Sequence, residues 1–465
     1  GDDTLRIGAG SFTIDAQAGN DTITVSGKSG AFTDAIDGGA GNDTLRIDAD
    51  SLGDFPSFSF DSSTQFFTLD DANSGTIQFK NIENLSVGSF AYTRVLDPFG
   101  SQQQAFFNST EKIVYMFNDG TTGASLGDGL FQTALAPSNL LPGLSVTDNV
   151  GVIGSSGNDT MNLDINRTSD FSGNLSLKMG SGNDTLNSAR LQNGDSVDMG
   201  TGDDTVALIT DTGVIGSLSL SNLDGGAGTD TLDFSNLSGP VPTLLLKSVG
   251  ATNFENIIGT SQGDVIVGDA GANKLEGSGG NDTILGLGGN DTLLGGIGTD
   301  SFTGGAGSDA FNVETSDASL TSTADVLKDF TTSQFDTLTF LEKGQGLTNS
   351  SLRGDGTKFQ IGDFATGTAL GANTGFFIVD SKAPSALEIS NIAAELTLGD
   401  LLNPLTANDS FFYVTDDGTN SGIFKFSDQN GNADVESNEV VAIAILENVS
   451  DATLITEDLV TDFVI

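Results

Sequence analysis

The sequence predicts an all-β fold: a parallel β-solenoid of 18-residue coils with irregular insertions, closed by a C-terminal β-rich cap. Three observations predict it. A nine-residue phrase is repeated six times without a gap from Gly259. Looser copies of the same phrase recur through the first half of the chain. After residue 312 the phrase stops, and short apolar runs of strand type take over.

The six nonapeptides read GTSQGDVIV, GDAGANKLE, GSGGNDTIL, GLGGNDTLL, GGIGTDSFT and GGAGSDAFN. Their eighth position is always apolar: Ile266, Leu275, Ile284, Leu293, Phe302 and Phe311. A run such as Thr283-Ile284-Leu285 reads as a short strand with one side chain pointing inward. The Gly-rich half reads as a tight turn that needs positive φ angles and close backbone approach. One unit cannot fold alone, but two make a coil, and coils stack about 4.8 Å apart by parallel strand pairing. The eighth-position residues then form two facing apolar ladders.

Units 18 residues apart share an edge of this solenoid. Asp264, Asp282 and Asp300 therefore fall in one column, and Asn273, Asp291 and Asp309 in the other. Carboxylates so close repel one another, while Gly-rich turns leave carbonyls aimed into the gap. A flexible oxygen cage of this kind suits calcium, which takes about 6–8 oxygens, better than magnesium, which prefers octahedral geometry and keeps its waters.

The phrase G-G-x-G-x-D-x-(apolar)-x resembles the RTX (repeats-in-toxin) family. The resemblance implies a calcium-bound parallel β-roll with each ion between turns of adjacent coils. It implies as ligands the sixth-position Asp and the carbonyls of the first, third and fifth positions. Carried onto this chain, the sites pair Asp264 with Asp282, Asp282 with Asp300, and Asp291 with Asp309. The carbonyls are those of Gly277, Gly279 and Asn281, of Gly286, Gly288 and Asn290, and of Gly295, Ile297 and Thr299. Asn273 departs from the pattern, so the site it shares with Asp291 is expected to be weak or missing.

The looser copies place Asp3, Asp21, Asp43, Asp159, Asp184, Asp204 and Asp230 at the same point of the phrase. Asp3 and Asp21 are 18 residues apart, one coil; later steps of 22, 25, 20 and 26 are one coil with a few extra residues. Midway between the first two sits Phe12, where an alternate Asp would be, followed by Ile14 in the inward position. The expectation is calcium along one edge, with metal-free turns of varying length on the other. Separate small domains with one ion each are the alternative. The blocks GTIQFKNIENLSVG (75–88) and VGATNFENIIGT (249–260) echo each other and read as an extra strand re-entering the solenoid.

The predicted divisions are an irregular roll over 1–88, an insertion or linker packed on the roll over 89–150, and a second irregular roll over 151–258. A regular roll over 259–312 and a cap over 313–465 complete them. The segment ADVLKDFTTSQFDTLTF (324–340) resembles the strand block that closes an RTX roll. In the cap, Asp428, Asn430, Asn432, Asp434, Glu436 and Glu439 fall at positions 1, 3, 5, 7, 9 and 12 of an EF-hand-like loop. Ala433 stands where that loop expects glycine, and a polar hairpin loop is the competing reading. The terminal LVTDFVI resembles the uncleaved signal of type I secretion. The opening GDDTLRI already lies inside a repeat, so the chain reads as cut from a longer parent.

Composition narrows the function. The chain has 465 residues, 63 acidic against 17 basic, a net charge of -46, 62 Gly, and neither His nor Cys. Such charge opposes binding to nucleic acid or an anionic membrane and attracts cations. Without His or Cys there is no Ser-His-Asp triad, no thiol chemistry and no Cys-type zinc site. Two G-x-S-x-G matches, 123–127 and 259–263, therefore carry no hydrolase, and the chain is expected not to be an enzyme. No apolar run is long enough to span a membrane. Three functions compete: an S-layer or cell-surface matrix subunit, the C-terminal part of a large secreted adhesin, and the tail of a secreted toxin or enzyme. The expected partners are calcium, further copies of the chain, the type I export machinery and a cell-surface polysaccharide; the expected location is the bacterial cell surface or medium.

Overall fold

The computed structural model describes residues 1–52, 55, 57–61, 63–96, 104–117, 124–126, 144–145, 147–162, 172–192, 194–209, 222–237, 244–245, 251–314, 324–330, 336–341, 360–363, 376–380, 410–416, 419–427, 440–448 and 460–464. Two compact units divide the chain: Gly1–Leu237 with Ser248–Phe254, and Ser238–Lys247 with Glu255–Ile465. The described residues form strands and turns with no α-helix, so none holds a helix long and apolar enough to cross a membrane.

The first unit begins as a parallel stack. Thr4–Ile7 pairs with Thr22–Val25, then come Thr44–Ile47 and Asn84–Val87. The register sets Leu5 opposite Ile23, Ile23 opposite Leu45, and Leu45 opposite Leu85. These are the apolar positions of the phrase, and Ile23, Leu45 and Leu85 are wholly buried. Thr13–Asp15, Phe32–Asp37 and Gly75–Lys80 form the facing parallel sheet. Each coil thus gives one strand to each sheet. A one-residue slip would turn every inward side chain outward, so the apolar ladder fixes the register. The 75–88 block is a whole coil rather than one strand, with Gly75–Lys80 in one sheet and Asn84–Val87 in the other.

Two antiparallel excursions interrupt this stack. Ser57–Asp61 and Phe66–Asp70 form a hairpin beside Gly75–Lys80. Phe90–Leu96, Gln104–Asn108 and Ile113–Phe117 zigzag outward from Asn84–Val87, and the last pairs in parallel with Val150–Ile153. The described part of 89–150 therefore continues the sheet itself. Both excursions feed an aromatic core. The Phe67 ring lies 4.8, 5.1 and 5.3 Å from those of Phe60, Phe79 and Phe106, the last edge-on.

The coils then resume. One sheet stacks Val150–Ile153, Leu175–Lys178, Ser196–Asp198, Leu223–Asp224 and Ala251–Thr252. The other stacks Ala124–Leu126, Asp159–Asn162, Thr185–Ala189, Thr205–Leu208 and Thr231–Asp233. Thr160 faces Thr185, Thr185 faces Thr205, and Thr205 faces Thr231. The uneven steps of the sequence are thus single coils, each giving one strand to each sheet.

In the second unit the 18-residue period is strict from Asn256 to Asn312. Leu244–Leu245, Val265–Val267, Thr283–Gly288, Ser301–Ala306 and Asp325–Leu327 stack in one parallel sheet. Asn256–Ile258, Lys274–Glu276, Thr292–Leu294, Ala310–Glu314, Thr337–Leu341 and Val460–Val464 stack in the other. Ile266, Leu275, Ile284, Leu293, Phe302 and Phe311 are all 0% exposed, so both predicted apolar ladders exist. Val440–Leu446 pairs with Asp325–Leu327 and continues the sheet through Ser421–Ser427, Ser410–Asp416, Phe376–Asp380 and Gln360–Asp363. Strands at the end of the roll answer the edge groups a solenoid leaves open. The EF-hand-like loop 428–439 lies outside the described residues.

Candidate metal centre

The predicted aspartates are linked from coil to coil, the carboxylate of one accepting the backbone N–H of the aspartate or asparagine one coil before it. The backbone N–H of Asp3 donates to Asp21 Oδ1 at 2.6 Å, and that of Asp21 to Asp43 Oδ1 at 2.8 Å. Asp159, Asp184 and Asp204 donate in the same way to Asp184, Asp204 and Asp230, at 2.7, 2.7 and 2.8 Å. In the second unit Asp264 donates to Asp282, Asp282 to Asp300, Asn273 to Asp291, and Asp291 to Asp309, at 2.6–2.9 Å. The sequence-predicted aspartates therefore form continuous columns, one carboxylate per coil.

The other carboxylate oxygen decides what the columns can do. Oδ2 of Asp21, Asp43, Asp184, Asp204, Asp282, Asp291 and Asp309 is buried and receives no hydrogen bond. These seven side chains are at most 2% exposed. Burying a charged oxygen with nothing to compensate it costs several kcal/mol. Burial, with neighbouring aspartates adding to it, pushes the Asp184 carboxyl up to about 8 and Asp282 to about 7, and burial with Asp309 behind it pushes Asp291 to about 6. Among the described residues no three acidic side chains converge on one point. An ion here would take its carboxylates in ones or twos and its remaining oxygens from backbone.

Four stretches of the chain match the RTX calcium-binding nonapeptide repeat: residues 29–46, 250–284, 258–293 and 276–311. The chain is an RTX-type protein. No curated protein matches it. The buried Oδ2 atoms are the orphaned groups that a calcium-binding RTX turn requires, so the residues present fit the ion. Asp21, Asp43, Asp184, Asp204, Asp282, Asp291 and Asp309 are the side chains that would hold it.

The RTX turns come in two forms. In the open form the second position is left-handed, as in Gln17, Gly39, Gly180, Gly200, Ser278, Leu287, Gly296 and Gly305, with φ between 71° and 108°. These turns end on the aspartates named above or on Asp300. In the closed form the second-position N–H bonds to the turn's own carboxylate or amide. Ser155 donates to Asp159 Oδ2 at 2.6 Å, Thr260 to Asp264 Oδ2 at 2.7 Å, and Asp269 to Asn273 Oδ1 at 2.8 Å. Ser155 and Thr260 add their hydroxyls. The closed turns are the 154–159, 259–264 and 268–273 copies.

The carbonyl-bearing positions are tightly built. An added Cβ on Gly298 (φ 148°) would collide with the Gly280 carbonyl oxygen. Ile297 O accepts the Gly280 N–H at 2.8 Å, so this predicted ligand already serves the stack. Asn281 and Asn290 use their side chains to accept the N–H of Thr299 and Ser308, each at 3.0 Å. Gly277, Gly286 and Gly295 each lie against Oδ2 of their own turn's aspartate, Asp282, Asp291 and Asp300. Gly279 and Gly288 have open space beside their Cα atoms by comparison.

The opposite edge of the first unit solves the same problem without an ion. The Phe12 N–H donates to Asp34 Oδ1 at 3.0 Å, the bond a column aspartate makes. Lys28 Nζ stands 2.7 Å from Asp34 Oδ2, donates to Gly10 O at 2.6 Å, and lies 4.8 Å from the Phe12 and Phe32 ring centres. A tethered ammonium thus supplies the positive charge. Farther along, Asp195 accepts the Leu175 N–H at 2.7 Å through Oδ1 and the Gln192 N–H at 2.8 Å through Oδ2.

Three column members escape the nonapeptide pattern. Asp43 N–H donates to Glu83 Oε2 at 2.8 Å, Asp300 N–H to Asp325 Oδ1 at 2.8 Å, and Asp309 N–H to Asp336 Oδ1 at 3.1 Å. Each stands two residues before a buried leucine: Leu85, Leu327 and Leu338. That spacing, an acid two residues before an inward apolar residue, is the part of the repeat signal they keep.

Proposed function

We propose that the chain is a calcium-dependent extracellular structural protein, an S-layer or cell-surface matrix subunit, whose β-roll folds on binding calcium after export. The observation that carries this reading is the set of buried, unanswered Oδ2 atoms in the aspartate columns. Without a cation these carboxylates repel each other inside a chain of net charge -46. With one, binding free energy becomes folding free energy.

RTX-type proteins are typically exported by type I systems, and a chain kept open by low cytosolic calcium suits that passage. The structural role is favoured because coils fill most of the described chain and because, with no His or Cys, it offers no usual general base or thiol nucleophile. Copies of the chain, the export machinery and surface polysaccharide are the partners of such a subunit. Electron microscopy of calcium-loaded protein tests the reading, with ordered sheets as the expected result. Monodisperse monomers at high concentration would favour an adhesin segment or the tail of a secreted toxin or enzyme.

A further inference from the structure

The first carboxylate column of the chain does not stop at its last nonapeptide. It ends on a turn of different design. After Gly75–Lys80 the chain needs only Asn81, Ile82 and Glu83 to reach the next strand, where the preceding coil uses the six residues from Gly38 to Asp43. The shorter turn holds its carboxylate on a glutamate, and the extra methylene restores the reach. Glu83 Oε2 accepts the Asp43 N–H at 2.8 Å, just as Asp43 Oδ1 accepts that of Asp21 at 2.8 Å.

The rest of this turn is also built. Asn81 is left-handed, with φ 53°. Its Nδ2 donates to Asp37 Oδ1 at 2.7 Å, and Gly39 N–H donates to the same oxygen at 3.0 Å. This holds the Asn81 carbonyl oxygen against Gly38, whose missing Cβ would strike it. Asp43 Oδ2 faces the same point beside Gly38. Asp43 is 0% exposed, and no hydrogen bond reaches that oxygen. The design recurs in the same unit. Asn253 has φ 57°, its Nδ2 donates to Asp224 Oδ1 at 2.7 Å, and its carbonyl oxygen and Asp230 Oδ2 both face Gly225. Glu255 follows Asn253 as Glu83 follows Asn81.

We infer that the Asn-x-Glu turn closes its column with one more divalent-cation site, held by Asp43 Oδ2, the Asn81 carbonyl and the Glu83 carboxylate. The ligand is a hard cation of calcium size, since every donor is oxygen: two carboxylates and one backbone carbonyl. The inference rests on the calcium reading of the columns and extends it to sequence outside the nonapeptides. Arg94, whose N–H donates to Glu83 O at 3.1 Å and whose guanidinium lies over the Phe67 ring, is the group that would instead neutralise Glu83 if the turn were only a structural stop.

Equilibrium dialysis of the full chain against radioactive calcium tests this, with wild type, Glu83→Gln and Asp43→Asn. Gln keeps an acceptor for the Asp43 N–H and removes the charge. The expected result is one ion fewer for Glu83→Gln and two fewer for Asp43→Asn, which also loses the site shared with Asp21. Equal stoichiometry and affinity for Glu83→Gln and wild type would overturn the inference. A wild type that binds no calcium would instead sink the column reading beneath it. If Glu83→Gln fails to fold in saturating calcium, wild-type crystals grown with calcium decide. An anomalous peak about 2.3–2.6 Å from Asp43 Oδ2 and a Glu83 oxygen supports the site. Peaks between other coils with none there overturn it.

Discussion

At the scale of single residues, the chain answers one problem in three ways: a buried carboxylate needs a positive partner. Closed turns use their own N–H groups, Asp34 uses Lys28, and the open columns leave an oxygen for an ion. The Lys28 pair makes a direct prediction. Lys28→Met strands the Asp34 charge in a buried place and should cost about 3–5 kcal/mol in chemical denaturation at saturating calcium. Lys28→Met with Asp34→Asn should recover much of that loss. A single variant as stable as wild type would contradict the assignment.

The raised carboxyls of Asp184, Asp282 and Asp291 also fix a pH dependence. Their folded, calcium-free pKa values of about 8, 7 and 6 lie above the unfolded carboxylate value of roughly 3.9. The folded state then binds more protons between these limits. Calcium-free stability should be greatest near pH 4 and fall as pH rises toward 8. Calcium must displace those protons, so its affinity should weaken as pH drops from 8 to 6, with protons released on binding at pH 7. Calorimetry in buffers of different ionisation enthalpy measures that release; zero release at pH 7 would show that the carboxylates were already charged.

At the scale of the turn, open and closed forms separate coils that the sequence pattern groups together. Asn273 is the example. Reading the phrase alone suggests that Asn273→Asp would restore a site. The closed turn, with Asp269 bonded to residue 273, says otherwise. Asn273→Asp should add no ion by itself, whereas Asn273→Asp with Asp269→Gly, which permits the left-handed second position, should add one. Glycine positions differ as sharply. Gly298→Ala should cost at least about 1–2 kcal/mol for its left-handed backbone, plus the collision with Gly280 O. Gly279→Ala, with nothing nearer than 3.8 Å, should stay within about 0.5 kcal/mol. Calcium-saturated melting curves of the two variants make the comparison.

The nine-residue period made the regular coils legible, because strand, turn and inward side chain each occupy fixed positions in it. The columns of Asp264, Asp282 and Asp300 and of Asp291 and Asp309 follow from that period. Glu83, Asp325 and Asp336 did not, since their turns lack the glycines and Glu83 compensates with a longer side chain. Lys28 was invisible for another reason: its partner Asp34 lies six residues on, in the strand Phe32–Asp37, beyond a turn of irregular length. The antiparallel strands Phe90–Leu96, Gln104–Asn108 and Ile113–Phe117 look like any apolar alternation. Only pairing tells whether such strands lie upon the coils or extend their sheet.

At the scale of the whole molecule, the two units share a principle rather than a sequence. Apolar ladders hold the inside of each coil, as Leu293→Ala should show by losing about 2–5 kcal/mol. They hold it only if the columns on the edge are neutralised. The central claim is therefore that calcium and folding are one equilibrium. Far-ultraviolet circular dichroism of the full chain, with excess EGTA and then with millimolar calcium, tests it most directly. The account predicts a largely unfolded spectrum in EGTA and a β spectrum regained on adding calcium. The same β content in both conditions would contradict it.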